Sequence, residues 1–242
     1  MLSYSKEKMW AVYWLSILSL FVIPLSWYTL ILYLCFQGIG VSVAYHRYYS
    51  HMSFEFKYPF LKWLTTYFGV MAGQGSPITW SAVHKAHHKN VDSHDDPHSP
   101  IHGLIRGFIF MDFAPYDPRM VLRLTREKAH VFIHNYYMIL LVGSWILSVM
   151  IGLPEVITAT GLSILCSNVA NWLGHTNIGY KNFGNESQDR NHWLGAIYFF
   201  GEGWHNNHHA KPNKYSFQHK WWEFDLGGFI IKHILADKTT LK

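Results

Sequence analysis

Seventeen histidines in 242 residues are the part of this sequence best able to do chemistry. Eight of them fall in three clusters: His46 and His51 in HRYYSH, His84, His87 and His88 in HKAHH, and His205, His208 and His209 in HNNHH. On an α-helix each residue advances about 100°, so positions i, i+3 and i+4 gather on one side and can point at a common centre. The two HxxHH clusters suit that arrangement. His46 and His51 are five apart, about 140° around an ideal helix, and are therefore expected to serve different metal ions. Eight imidazoles exceed the three or four protein ligands of a zinc site and are a reasonable supply for two transition-metal ions. Neutral imidazole suits iron, and an open position at each ion would let dioxygen bind. Cys35 and Cys166 lie inside apolar stretches, where a thiol behaves as a small hydrophobe, so neither a disulfide framework nor a thiolate metal site is implied.

The elements that must position these imidazoles read as membrane helices. Half of the residues are hydrophobic and only 14% are charged, well below the roughly 25% of a soluble domain. The net charge of +5 comes without a Lys/Arg-rich run or a nucleic-acid motif, which argues against a nucleic-acid partner. Residues 10–45 contain no Lys, Arg, Asp or Glu and divide at Pro24 and Ser26, the pattern of a helical hairpin with Trp10 and Trp14 at the interface. Residues 134–151 and 156–174 repeat the plan around Gly152 and Pro154. All 20 Lys and Arg lie outside both hairpins, so the positive-inside rule puts the termini and long loops on the cytosolic side.

The expected fold is all-α and integral to the membrane, one unit over 1–242. Four transmembrane helices in two hairpins, about 10–45 and 134–174, stand under a cytosolic helical cap from 46–133 and 175–242. Residues 54–75 read as an interfacial or partly inserted helix. All three histidine clusters then meet on the cytosolic face.

His102, His130, His134, His192, His219 and His233 stand alone and read as ordinary boundary residues. Asn171 and His175 are one turn apart at the cytosolic end of the fourth helix, equally suited to metal ligation and to interfacial hydrogen bonding. In HDDPHS, Asp95 or Asp96 is placed to orient a ligating imidazole, with His98 beside them, although Asp-Pro is also a common turn.

Beyond the clusters themselves, YHRYYSH, MAGQ followed by Trp80, VHKAHHKNVDSHDDPHSP, NWLGH and GEGWHNNHH occur in an order and spacing that resemble the membrane fatty acyl desaturases, including the stearoyl-CoA 9-desaturases. The resemblance covers roughly residues 26–225. It implies a di-iron centre held by His46, His51, His84, His87, His88, His175, His205, His208 and His209, with Asn171 reaching an iron through water. It also implies a narrow tunnel carrying a fatty acyl chain past the metals, with dioxygen as co-substrate. Gln74 and Trp80 match positions near the substrate path, and Leu30 and Leu34 stand where bulk would limit chain length. The product expected is a cis double bond, of the delta-9 type. Electrons are expected from an external donor such as a ferredoxin or a cytochrome b5 type protein.

The animal acyl-CoA members carry an Arg-Asp pair, associated with the CoA head group, before the second cluster, where this chain has Ala82 and Val83. The carrier therefore stays open among CoA, acyl carrier protein and acyl-lipid. Lys85, Lys89, Arg119, Arg123 and Arg126 suit either a phosphate-bearing carrier or anionic headgroups. Trp221, Trp222 and Asp225 also resemble a family segment, or anchor the cap to the bilayer. Alternatives are a hydroxylase on the same scaffold, a membrane zinc hydrolase using Glu202, and a histidine-relay metal transporter. The last would place polar ligands through the membrane depth rather than at one end.

Overall fold

The computed structural model describes residues 6–97, 99, 117–184 and 186–242, which are helical and contain no strand. Helix α1, Lys6–Val22, is followed by a break and then by α2, Trp27–Tyr33, which continues without interruption as a π-helical segment, Leu34–Ser50. Ser26 starts the second rod: its hydroxyl accepts the Thr29 N–H while Thr29 Oγ1 accepts the Ser26 N–H, a reciprocal cap. Next come α3, Pro59–Met71, and α4, Pro77–Asn90, the latter opened by Pro77 and by Ser76 accepting the Thr79 N–H. Short α5, Leu122–Thr125, leads to α6, Lys128–Asn135, α7, Tyr137–Met150, and α8, Glu155–Gly174. Three short helices complete the chain: α9, Trp193–Tyr198, α10, His205–Ala210, and α11, Leu226–Ile230, which runs on as a π turn, Ile231–Leu235.

Among the described residues two helices are long and apolar enough to cross a membrane, Trp27–Ser50 and Glu155–Gly174. The pair α6 and α7 makes a third if its 65° bend lies within one span, and Met9–Val22 is apolar but shorter. Against the four transmembrane helices expected from the sequence, with the first the shorter, the described residues give two full-length rods and two weaker elements. Leu15, Leu18, Phe21, Ile139, Ile146 and Met150 leave their side chains exposed on α1 and α7, where only an apolar surrounding such as lipid tails removes them from water. The chain is accordingly membrane-associated. Residues 54–75 contain α3, whose Phe60, Leu64 and Tyr67 form an exposed stripe of the kind that lies in an interface.

Two apolar clusters fix the bundle. Met9, Val12, Phe36, Val70, Met71, Tyr137, Leu141, Trp145 and Val156 join α1, the π segment, α3, α7 and α8. Val43, Ala44, Tyr45, Tyr48, Ile78, Ala82, Leu124 and Ile231 join the end of the π segment to α4, α5 and the π turn after α11. The reversals after α1 and α7 meet at one end of the bundle, where Ser26 Oγ donates to Glu155 Oε1 at 3.1 Å. The histidines lie at the opposite end of the second rod.

Candidate metal centre

Nine imidazoles come together there in two groups. His46, His51, His84, His88 and His208 form one, and His87, His175, His205 and His209 the other, with the ligand atoms of each group within 4.8 Å of one another. Each HxxHH cluster is divided between them. On α4, His84 and His88 join the first group and His87 the second, while on α10 His205 and His209 join the second and His208 the first. His175 arrives from the C-cap of α8.

His46 and His51 belong to the same group, against the expectation drawn from an ideal α-helix. The reason is the wider π turn. The His51 N–H donates to the His46 carbonyl at 3.2 Å, so a hydrogen bond spanning five residues returns the chain to one face after i+5.

Behind three of the rings stands a carboxylate. Glu202 Oε2 accepts His46 Nδ1–H at 2.6 Å, Asp96 Oδ1 accepts His87 Nδ1–H at 2.8 Å, and Asp92 Oδ1 accepts His175 Nδ1–H at 3.0 Å. A carboxylate only accepts, so each of these imidazoles keeps its proton on Nδ1 and turns a bare Nε2 lone pair inward. Glu202 is held below the ordinary carboxylate range: burial by itself raises it, but His46, Arg47 and the Ser42 hydroxyl outweigh burial. For Asp92 the same opposition holds, with His175 and the Gln188 N–H winning.

The inward atoms fit metal ligation. Nε2 separations are 3.0 Å for His46–His208, 2.8 Å for His51–His84, 2.8 Å for His88–His208, 2.8 Å for His175–His205, 3.0 Å for His205–His209 and 3.3 Å for His87–His209. With a metal–nitrogen bond of about 2.1 Å, ligands at right angles stand about 3.0 Å apart. Burial, reinforced by neighbouring imidazoles, drives His51, His84, His205, His208 and His209 well below the usual histidine value and pushes His88 down to about 3. These six rings are thus held toward the neutral form, the form that binds metal.

Around the groups, Trp80 stacks on His84 at 4.9 Å and its Nε1 donates to Gln74 Oε1 at 3.2 Å. Gln74 Nε2 in turn reaches Ser167 Oγ at 2.8 Å and Gln37 Oε1 at 3.2 Å, so Gln74 and Trp80 link the five-imidazole group to a buried polar cluster between the rods. Leu30 and Leu34 are not part of it. They are 42% and 39% exposed, on the outward side of the rod, because Thr29, Tyr33, Phe36 and Gln37 occupy its inward side. Asn171 is half-buried in the last turn of α8.

Asp96 is fully buried against His87, whereas Asp95 is exposed; His98 and His102 fall outside the described residues. Asp225 is no bilayer anchor, being buried against Arg47 at 3.1 Å, although Trp221 beside it is 91% exposed. His134 is buried elsewhere, on Ser76, and His130 lies on Tyr49. Sequence reasoning missed Asp92 and the orienting role of Glu202. Asp92 sits two residues ahead of the HDDPHS segment, and Glu202 two ahead of Trp204 in GEGWHNNHH, so proximity to a cluster was the available signal.

Comparison with known proteins adds an independent finding. The family described as fatty acid desaturase matches residues 19–236. Among curated proteins the chain is 30% identical over 222 residues to an acyl-CoA 5-desaturase of Anemone leveillei, covering 85% of this chain and 67% of the relative. It is 30% identical over 218 residues to a chloroplastic palmitoyl-monogalactosyldiacylglycerol delta-7 desaturase of Arabidopsis thaliana, covering 85% and 58%. Over 229 residues it is 31% identical to an sn-1 stearoyl-lipid 9-desaturase of Anabaena variabilis, covering 88% and 82%. The chain thus spans little more than half the length of the Arabidopsis relative.

Proposed function

This chain belongs to the fatty acid desaturase family and is an oxidoreductase, and from that premise we propose that it places a cis double bond, of the delta-9 type, in a lipid-linked acyl chain. The observation that carries the reading is the pair of buried imidazole groups. Two iron ions held there would supply the oxidising power that an unactivated methylene demands, using dioxygen and two electrons from an outside donor of ferredoxin or cytochrome b5 type, with both oxygen atoms leaving as water. His46, His51, His84, His88 and His208 hold one ion; His87, His175, His205 and His209 hold the other, with Asn171 adding a water-mediated contact.

The remaining residues position the chain. Methylenes are chemically alike, so shape selects the carbon that reacts. Gln37, Gln74 and Trp80 form the wall beside the first group, and Leu30 and Leu34 are left to lipid. A lipid carrier is favoured because Ala82 and Val83, buried on α4, offer no charge to a CoA head group, and because two of the three relatives described above are named for lipid substrates. Four spans follow if α1 and the bent pair α6–α7 cross alongside the two long rods. The histidine end and both termini are then cytosolic, as the Lys/Arg distribution requires.

The test is expression in a host lacking acyl desaturation, with gas chromatography and mass spectrometry of total fatty acids, beside a His209→Ala control. A new monounsaturated acid, absent from the control, is the expected result and gives the bond position. A hydroxy acid in its place overturns the reaction assignment. Folded protein that carries two irons and a working donor yet yields no unsaturated product overturns the proposal.

A further inference from the structure

His208 differs from His46, His87 and His175 in what stands behind it. The Nε2 atoms of His46 and His88 both converge on its Nε2, at 3.0 and 2.8 Å, so the five-imidazole group closes on this ring. Yet its Nδ1 is buried and has no hydrogen-bond partner among the described residues. A histidine ring has a broad torsional well about χ2, so without a partner at Nδ1 its orientation must come from packing. Besides its fellow ligands, the ring against it is Phe217, with ring centroids 4.5 Å apart; the same ring lies 5.4 Å from His46.

Phe217 is itself clamped. Its backbone N–H donates to Asp225 Oδ2 at 2.7 Å, and the Arg47 guanidinium sits 4.0 Å over its ring. Arg47 is fully buried. Its Nη1 donates to Asp225 Oδ1 at 3.1 Å and the Tyr215 carbonyl at 3.3 Å, its Nη2 donates to the Phe200 carbonyl at 3.1 Å, and Glu202 lies 3.5 Å away. Two glycines leave room for this pair. At Gly201, whose φ is +89°, a Cβ would stand 2.1 Å from Asp225 Oδ1, and at Gly227 one would stand 2.4 Å from Arg47 Nη1. Any side chain at either position would push the clamp off Phe217.

We propose that Phe217, held between Arg47 and Asp225, is the positioning residue of His208, orienting by packing the imidazole that closes the five-ligand group. This rests on the di-iron reading. An apolar ring accepts no proton from Nδ1, so among the described residues nothing gives His208 the added basicity that Glu202, Asp96 and Asp92 give their histidines. The five-ligand ion therefore depends on the flatness and placement of one aromatic ring.

The test compares wild type, Phe217→Leu and Phe217→Tyr, each purified and loaded anaerobically with Mössbauer-active iron. Iron per chain, graded chelator competition and Mössbauer spectra are recorded on folded protein. In Phe217→Leu, retention of one iron should weaken by roughly 10-fold and its quadrupole doublet broaden, while the other doublet stays unchanged. Phe217→Tyr, which keeps the ring, should restore the wild-type spectrum. Should Phe217→Leu not fold, Phe217→Met, with similar apolar volume and no flat ring, takes its place. Unaltered doublets and chelator curve overturn the proposal, as does equal loss of both irons. A wild type that binds fewer than two irons sinks the di-iron reading instead, which separates the two failures.

Discussion

Asp96→Asn is the sharpest probe of how the second group is built. Asp96 is fully buried and uses both oxygens: Oδ1 accepts His87 Nδ1–H at 2.8 Å and Oδ2 accepts the Asp92 backbone N–H at 2.9 Å. An asparagine has one acceptor oxygen and one donor nitrogen, so one of those two N–H groups must face an NH2. Leaving a buried donor unpaired costs about 1–3 kcal/mol, and replacing a charged acceptor by a neutral one costs about 1 kcal/mol more. Together these are about 2–4 kcal/mol, which at 1.4 kcal/mol per decade sets an upper bound of roughly 30- to 700-fold on the loss of metal affinity; because the metal-free fold bears part of the cost, the expected loss is roughly 10- to 100-fold, the usual range for such outer partners. The loss should fall on the ion of His87, His175, His205 and His209 alone. Anaerobic titration with a ferrous chelator, counting iron per chain by mass spectrometry, should show one iron stripped at correspondingly lower chelator concentration and the other unmoved. Asp95→Asn, one residue away but exposed, is the control and should behave as wild type. Overlapping curves for Asp96→Asn and wild type, or an equal effect of Asp95→Asn, would refute the reasoning.

Glu202→Gln should weaken the other ion, by a similar factor, because Glu202 backs His46; a double titration in which the two variants strip the same iron would contradict the two-group assignment. Gln74→Leu leaves the Trp80 indole N–H without its acceptor and removes the donor to Ser167, so thermal unfolding in detergent should show a loss of roughly 1–3 kcal/mol, and an unchanged melting temperature counts against the network. The metal-free protein should lose stability as pH falls below 6.5. His88 is depressed from 6.5 to about 3 in the fold, so between those values the unfolded chain binds the extra proton, and stability falls with pH at up to about 1.4 kcal/mol per unit for that one group. A melting temperature flat from neutral pH to about pH 5 would argue against burial of these rings as neutral species.

The membrane character and the three clusters were readable from composition and spacing, since charge-free stretches and repeated HxxHH patterns are local properties of the chain. Helix starts were also readable where the cap is local, as at Ser26 and Ser76. What the sequence withheld was set by contacts between distant segments. Arg47 meets Asp225 across 178 positions, and Glu202 meets His46 across 156; no window contains both partners. Leu30 and Leu34 were placed by distance along the rod, but exposure depends on which face Phe36 and Gln37 turn inward. The pairing of His46 with His51 failed for another reason. Periodicity arguments assume 3.6 residues per turn, and the rod from Leu34 to Ser50 does not keep that period.

The way the imidazoles are shared follows from helix geometry. On an α-helix, i+4 lies about 40° to one side of i and i+3 about 60° to the other. An HxxHH cluster therefore points a pair in one direction and a single ring in another, and here its three rings do not meet at the one common centre that the spacing alone suggested. Two such helices placed face to face solve this by exchange: the α4 pair, His84 and His88, meets the single ring His208, and the α10 pair, His205 and His209, meets His87. Each group is then built from both helices, and any shift of α4 against α10 would disturb both groups at once. His46 and His51 from the π segment and His175 from α8 complete one group each. A change behind a single ring, at Glu202 behind His46, Asp92 behind His175, Asp96 behind His87 or Phe217 against His208, moves no helix and is where one group can be altered without the other.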